Sequence, residues 1–348
     1  MKPADVEVRP GAPELDEARD EFVLGHDRGS FFHLSGWRRA VERVFKYEAR
    51  DLFAYDGDEL VGVLPMMYAP GLSGGKSLIS MPYGVYGGPI GNDPAVEQAL
   101  LEEASGIADR EQVKYLELRY ATDPGPDLVG TSLYDTFIRD LPEDPDDVLA
   151  RMPKKSRAEA RKARKKHGLE LSQGTWYIDD LYRLFLANKH ALGSPALPRR
   201  MFATLMDEFS GRVHVHLVRR GSQPLAAVMS FVYGDTLLAY YSGTAPQADR
   251  EYSASNFMYM SLQEWAVREG FRVFDFGRSR ADSGAHRFKV HQGFEPRPLH
   301  YRYHLVRKRR TPSFTPSNPK VRILQETWRR MPQWLARRLS NRLSVYLP

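Results

Sequence analysis

The residues best suited to chemistry are gathered between positions 275 and 298, in the run DFGRSRADSGAHRFKVHQGFEPRP. A strand is expected over 272–276 and runs into Gly277, which can hold backbone shapes that other residues resist, so the strand can bend open there. Arg278 and Ser279 follow where strand gives way to loop, the place at which open α/β sheets bind ligands. Lys289 stands between Phe288 and Val290, which would aim its ammonium rather than leave it solvated. Arg278, Arg287, Lys289 and Gly293 thus crowd one short segment. The plainer alternative is a β-bulge carrying ordinary surface charge, with Lys289 lying over Phe288 and its head in water.

Arginine offers phosphate a planar fork, while lysine offers a point charge; either can meet a developing oxyanion. Asp275 could orient Arg278 or act as a base, although its strand position suits a structural hydrogen bond. His286 and His291 flank Lys289 as candidate proton acceptors, but no third ligand stands at useful spacing, so no metal site is expected. Tyr240, Tyr241 and Ser242, ahead of Gly243, either line a channel or simply pack.

These residues sit in a chain of 348 residues, 42% hydrophobic and 27% charged, long enough for two domains with separate cores. Without cysteine there can be no disulfide, thiolate metal site or cysteine nucleophile. The first twenty residues lack the apolar core of a secretion signal, and no run of about 18 apolar residues could span a bilayer. The expected location is cytoplasmic. A formal charge of +6 is concentrated in two basic segments, 151–166 and 302–342, that invite polyanionic partners.

The elements that must position the site read as one module written twice. Residues 51–55, a turn at Gly57-Asp58 and residues 59–68 form a hairpin pattern; residues 214–218, a turn at Gly221 and residues 223–233 repeat it. Gly87-Gly88-Pro89 and Ser242-Gly243-Thr244 then precede helices marked by Leu100, Ala104, Ile107, Ala108 and by Met258, Leu262, Trp265, Ala266. Each helix leads to a short strand, 115–118 or 273–276, and a leading helix opens each half, through Trp37, Val41, Val44 and through Leu181, Leu184, Phe185. Duplication of one α/β domain is the economical account. The divisions expected are 1–150, 151–305 and a basic amphipathic tail, 306–348. Ser156 is placed as the N-cap of a basic helix stopped at Gly168.

Helix, hairpin, strand, helix, strand is the order of the GNAT acyltransferase fold, and the quoted segments resemble the Fem family of peptidoglycan aminoacyltransferases over roughly 31–305. The likeness is carried by Leu238-Ala-Tyr-Tyr-Ser-Gly243, Phe274-Asp-Phe-Gly277, Phe288-Lys289 with Gly293-Phe294, the basic stretch 154–169, and Gly88-Pro89-Ile90. Gly-Arg-Ser after the strand and Gly-Phe-Glu-Pro at the end look more like the FemAB-like proteins associated with exosortase/PEP-CTERM systems. The resemblance implies an α/β (α+β) fold of tandem GNAT-like domains with mixed sheets and a helical tail. It implies transfer of an acyl or aminoacyl group, with aminoacyl-tRNA as donor in Fem enzymes, onto an amine of an envelope or polysaccharide precursor that is nucleotide- or lipid-linked. Lys289 corresponds to the lysine of that family's site. Two features depart: Arg38-Arg39 follow Trp37 where a lysine is expected, and Tyr120-Ala121 follow the first-domain strand where Asp-Pro is expected.

Acyl transfer to an amine needs a neutral amine, a held carbonyl and donors where its oxygen becomes negative, with no covalent nucleophile required. The expected centre is Lys289, Arg278 and Ser279, with Gly277, Tyr241, Gly243, Arg287 and Phe288 around the substrate. Arg157 and Arg161 are expected to grip phosphates of tRNA or a lipid-linked precursor, or else to be a solvated helix face. If coenzyme A is the donor, Arg250, Ser253 and Ser255 stand at the helix N-terminus that would hold its pyrophosphate, with serines where glycines would allow closer approach. The rival readings are an acyl-coenzyme A-dependent N-acyltransferase and a non-catalytic basic protein that binds RNA or a membrane. Sequence-specific nucleic-acid recognition is not expected, because the basic helix lacks interleaved aromatics. In the tail, Leu335, Leu339 and Leu343 form one face, with Trp328 and Trp334 as anchors; residues 319–345 either lie on an anionic membrane or pack back on the protein.

Overall fold

The computed structural model describes residues 6–72, 74–125, 128–312 and 319–348. The proline-rich stretch approaching Pro319 lies in part outside the described residues. The chain forms two compact units: one of Met1–Leu133, Pro298–Ser313 and Val345–Pro348, the other of Tyr134–Arg297 and Phe314–Ser344.

In the first unit, Lys76–Ile79 and Tyr115–Tyr120 pair in parallel, joined through the helix Pro94–Arg110. That helix starts at a proline, and Asp93 Oδ1 accepts from the N–H groups of Ala95 and Val96 at 2.8 and 3.1 Å. Val96, Leu100, Ala104 and Ala108, each four residues apart, supply its buried stripe. The six-stranded sheet runs Glu48–Ala49, Met67–Pro70, Lys76–Ile79, Tyr115–Tyr120, His300–Leu305, Val129–Thr131. The hairpin Leu52–Asp56 and Glu59–Leu64 belongs to a separate four-stranded sheet, with Gly57 at φ +60° in its turn.

The second unit repeats the parallel pair. Its six-stranded sheet runs Ile138–Asp140, Val273–Asp275, Thr236–Thr244, Gln223–Tyr233, Val213–Arg220, Glu170–Gln173. All neighbours are antiparallel except Thr236–Thr244 and Val273–Asp275, which the helix Ala254–Arg268 connects. A parallel pair needs such a crossover, because a hairpin can return a chain only antiparallel. Buried Met258, Leu262 and Ala266 hold that helix in the core.

Three sequence-based placements change. The strand His300–Leu305, assigned above to 151–305, pairs with Tyr115–Tyr120 of the first unit from His300↔Tyr120 to Leu305↔Tyr115. Conversely, Ile138–Asp140 pairs with Val273–Asp275 in the second unit. Strand order across a sheet has no local signature, so neither move was visible in spacing. The basic helix is Lys154–Lys165, and Ser156 lies inside it; its hydroxyl donates to His291 O at 2.6 Å rather than capping the helix. Gly168, at φ +63°, does follow the helix end.

The tail helices, Pro319–Arg330 and Gln333–Leu343, pack on the second unit. Ser340 Oγ accepts from Ala196 N at 3.1 Å, and His190 Nε2 donates to Met331 O at 2.8 Å. Among the described residues no helix is long and apolar enough to cross a membrane.

Candidate active site

The strands Thr236–Thr244 and Val273–Asp275 run side by side as far as Leu238↔Asp275. Beyond that point Gly277 takes φ +68°, and Asp275 Oδ1 accepts its N–H at 2.7 Å. Asp275 is 4% exposed, so its carboxylate sets the turn and is not offered to substrate as a base. The turn leads to Ser279–Arg280, which pairs with Tyr134–Thr136 through Asp135↔Ser279. Ser279 is buried, and the Arg278 guanidinium lies 4.9 Å over the Tyr134 ring.

Lys289 belongs to a helix, Gly284–His291, whose start is capped by Ser283 Oγ accepting from His286 N at 3.1 Å. Its ammonium reaches back to the turn and donates to the carbonyls of Phe276, Gly277 and Arg278 at 2.6, 2.9 and 3.1 Å. An ammonium has three donors, and three consecutive carbonyls use all of them. Lys289 therefore holds the turn that carries Arg278; no donor is left for an oxyanion, which corrects the role first assigned to it. Burial pushes its pKa down to about 7, with Asp275 opposing and Arg278 assisting. Three acceptors nevertheless require the protonated form, because a neutral amine has two N–H groups.

The expected crowd of cations disperses. Arg287 is exposed and donates to Asp282 O at 3.3 Å, and Phe288 packs against Tyr259 and Phe276. Gly293, at φ +86°, follows the helix end, and His286 pairs with Asp135 at 2.9 Å. The helix periodicity of 284–291 sends Arg287 and Lys289 to different faces, whereas a loop reading keeps them together.

A different lysine joins Arg278. The helix Ile178–Ala191 crosses Thr236–Thr244 at Gly243, where an added Cβ would lie 2.3 Å from the backbone of Leu184 and Phe185. Gly243 thus admits the helix rather than lining a wall. That contact sets Phe185 against Tyr241, ring centroids 5.9 Å apart, and Lys189, one turn later, 5.4 Å over the Phe185 ring. Burial and the charge of Arg278 lower the pKa of Lys189. Among the described residues the buried Tyr241 hydroxyl has no hydrogen-bond partner, and burial raises its pKa well above the usual range while Arg278 works against that. Arg278 thus lies near enough to Lys189 and Tyr241 to bear on the charge of each, beyond the end of the parallel pair. Lys189 was not among the site residues expected from the sequence; its spacing of four from Phe185 was the available signal.

At the N-terminus of the helix Ala254–Arg268, Asp249 Oδ1 accepts from Ser255 N at 2.7 Å and Oδ2 from Ser255 Oγ at 2.9 Å. Ser253, at φ +56°, donates through its hydroxyl to Glu159 at 2.5 Å, and Arg250 is exposed. A carboxylate thus already takes the Ser255 N–H and hydroxyl, two of the donors that would otherwise face a phosphate. On the basic helix, Ala160 and Ala163 face the core, Arg161 is exposed, Arg157 donates to Ala150 O, and Arg164 pairs with Glu264.

In the first unit the arginines that follow Trp37 are structural. Arg38 and Arg39 both reach Asp16 at 2.6 Å, and Arg38 is buried. Arg119, also buried, donates to the carbonyls of Met81 and Gly84 at 3.2 and 2.8 Å and to Glu117 at 2.8 Å.

Residues 150–290 match the family described as Acetyltransferase (GNAT) domain. No curated protein sequence matches this chain. Among solved structures it is similar to FemX, with 13% identity and TM-score 0.65 over 86% of this chain and 98% of that one. It is similar to a tandem GNAT protein from the clavulanic acid biosynthesis pathway, with 14% identity and TM-score 0.55 over 89% and 100%. L-PGS from Bacillus licheniformis follows, with 15% identity and TM-score 0.54 over 93% and 99%. Such identities speak for the fold alone: tandem GNAT-like domains, as the repeated parallel pairs indicate. With the family match over residues 150–290, the chain is a transferase of mixed α/β fold that carries a GNAT acyltransferase domain there.

Proposed function

We propose that the second unit transfers an aminoacyl group from an aminoacyl-tRNA-type ester onto an amine of a nucleotide- or lipid-linked envelope or polysaccharide precursor. The observation that carries this reading is the helix N-terminus filled by Asp249. A coenzyme A pyrophosphate brought there would meet a carboxylate already bonded to Ser255, so a donor without that demand fits better. The corner of Arg278 and Lys189 offers positive charge for the anionic groups of either substrate.

In the reaction the acceptor amine arrives neutral and attacks the ester carbonyl, forming a C–N bond. Positive charge at the Arg278 corner meets the tetrahedral oxyanion. The ester C–O bond then breaks, and the ribose hydroxyl leaves with the proton that the amine loses. No oxidant, reductant or further reactant is needed. Lys289 keeps the carbonyls of 276–278 turned inward, so that Arg278 stays in place.

The test pairs a transfer assay, labelled aminoacyl-tRNA with a uridine-diphosphate-linked sugar peptide, with calorimetric titration of coenzyme A. Label entering the acceptor, with no coenzyme A binding at micromolar concentration, is the expected result. Micromolar coenzyme A binding that Ser255→Ala weakens would instead establish an acyl-coenzyme A enzyme. Activity unchanged in Arg278→Gln would remove the proposed corner.

A further inference from the structure

We propose that the outer face of the tail helices, Pro319–Arg330 and Gln333–Leu343, docks the protein onto a membrane surface rich in anionic lipid. The inner face is already committed. Trp328, Ala336 and Ser340 are buried, and Arg329 donates to Ala191 O and Leu192 O at 3.2 and 3.4 Å. The backbone of Gln325 lies so close to Gly193 that an added Cβ there would sit 2.6 Å from it. The sequence reading proposed Trp328 as an interfacial anchor, but its ring is turned to the protein; Leu335, Leu339 and Leu343 are half-buried.

What remains outside is apolar and basic together. Ile323, Leu324 and Trp334 are 61%, 69% and 67% exposed, and Leu192, beside Arg329, is exposed as well. Between Lys320 and Arg342 the sequence has seven lysines and arginines against Glu326 alone, a balance of +6 equal to that of the whole chain. Arg322, Arg330, Arg338 and Arg342 are exposed, and none forms an ion pair among the described residues. With no carboxylate among the described residues against them, their charge is open to an anionic surface.

An anionic bilayer rewards both features: side chains such as Ile, Leu and Trp enter the headgroup boundary while arginines stay at phosphate depth. A nucleic acid would reward the arginines but gain little from three exposed aliphatic side chains, Leu192, Ile323 and Leu324, since bases are gripped by aromatic stacking. At 1.5 Å per residue, helices of 12 and 11 residues reach about half of a ~30 Å hydrocarbon core, so they lie along the surface. Both are fixed to the protein on one side, which presents the face already formed.

The experiment is vesicle co-sedimentation of the full chain, with neutral phosphatidylcholine against vesicles containing about one-third phosphatidylglycerol. Binding to the anionic vesicles that falls with salt is expected. The triple variant Arg322→Gln, Arg330→Gln, Arg338→Gln should weaken it by about a hundredfold, at roughly fivefold per cation. Ile323→Asn with Leu324→Asn should weaken it at least about tenfold. Brominated lipid should quench tryptophan fluorescence in the parent but much less in Trp334→Phe. All these side chains are exposed, so unchanged circular dichroism is expected and verifies the fold. The proposal is overturned if the parent stays in the supernatant, if the variants bind as the parent does, or if the same arginines retain bulk tRNA while vesicles are ignored. None of these readouts depends on transfer activity.

Discussion

Lys289 shows how a residue can be found by its type and yet have its task set by its neighbours. Its position beside Phe288 marks it in the sequence, but the direction of its ammonium depends on the Ser283 cap and on the carbonyls of a turn 11 to 13 residues earlier. Lys289→Met would leave three buried carbonyls without donors, and the expected loss is about 3 kcal/mol of stability in urea unfolding. Lys289→Arg should not restore it, because a planar fork cannot face three consecutive carbonyls. Arg278→Gln should act mainly on the reaction: a stability loss of about 1 kcal/mol from the Tyr134 contact, with kcat/KM lower by about a hundredfold. Arg278 was legible because it follows the strand end and Gly277. Lys189 was not, since only the crossing at Gly243 brings its helix to that corner.

The helix Ile178–Ala191 and the strand Thr236–Thr244 approach at backbone distance, and the residue that permits it has no side chain. Gly243→Ala forces a methyl to within 2.3 Å of Leu184 and Phe185 backbone atoms. Neither main chain can rotate away, so a destabilisation of about 2 kcal/mol or more is expected by thermal unfolding, together with loss of activity as Lys189 moves outward. At the neighbouring helix, Asp249→Ala frees the donors of Ser255 and removes a capping carboxylate, a change of about 1 kcal/mol. If the filled N-terminus is what excludes coenzyme A, this variant should gain measurable affinity for it by calorimetry. Both hairpins and both long helices were readable from turn glycines and four-residue apolar spacing. The sharing of His300–Leu305 with the first unit was not, because strand pairing at that separation leaves no mark on local pattern.

Across the whole molecule, two buried histidines tie stability to pH. His33 accepts from Ser30 Oγ at Nδ1 and donates from Nε2 to Gly88 O, a neutral ring, and burial lowers its pKa to about 4. His216, 4.4 Å from Trp265, is lowered to about 3, again by burial. Both return to the ordinary 6.5 on unfolding, so the unfolded chain binds more protons below that value. Stability should therefore be full above pH 6.5 and fall as pH drops towards 4 and 3, by roughly 3 kcal/mol for His33 and roughly 5 kcal/mol for His216. Melting temperatures across pH 4–8 check the slope, and His33→Gln should flatten part of it. The sequence by itself determined the repeated module, the cysteine-free chemistry, the strand end at Gly277 with Arg278 beyond it, and the charge stored in the last helices. These follow from composition and from periods of two and of three to four residues, which neighbours along the chain impose on one another. Only the tertiary structure decided which lysine joins Arg278, what fills the N-terminus of Ala254–Arg268, and which side of the tail faces out. Those outcomes depend on contacts between residues far apart in the chain, where packing and the satisfaction of buried polar groups choose among arrangements that local pattern leaves equal.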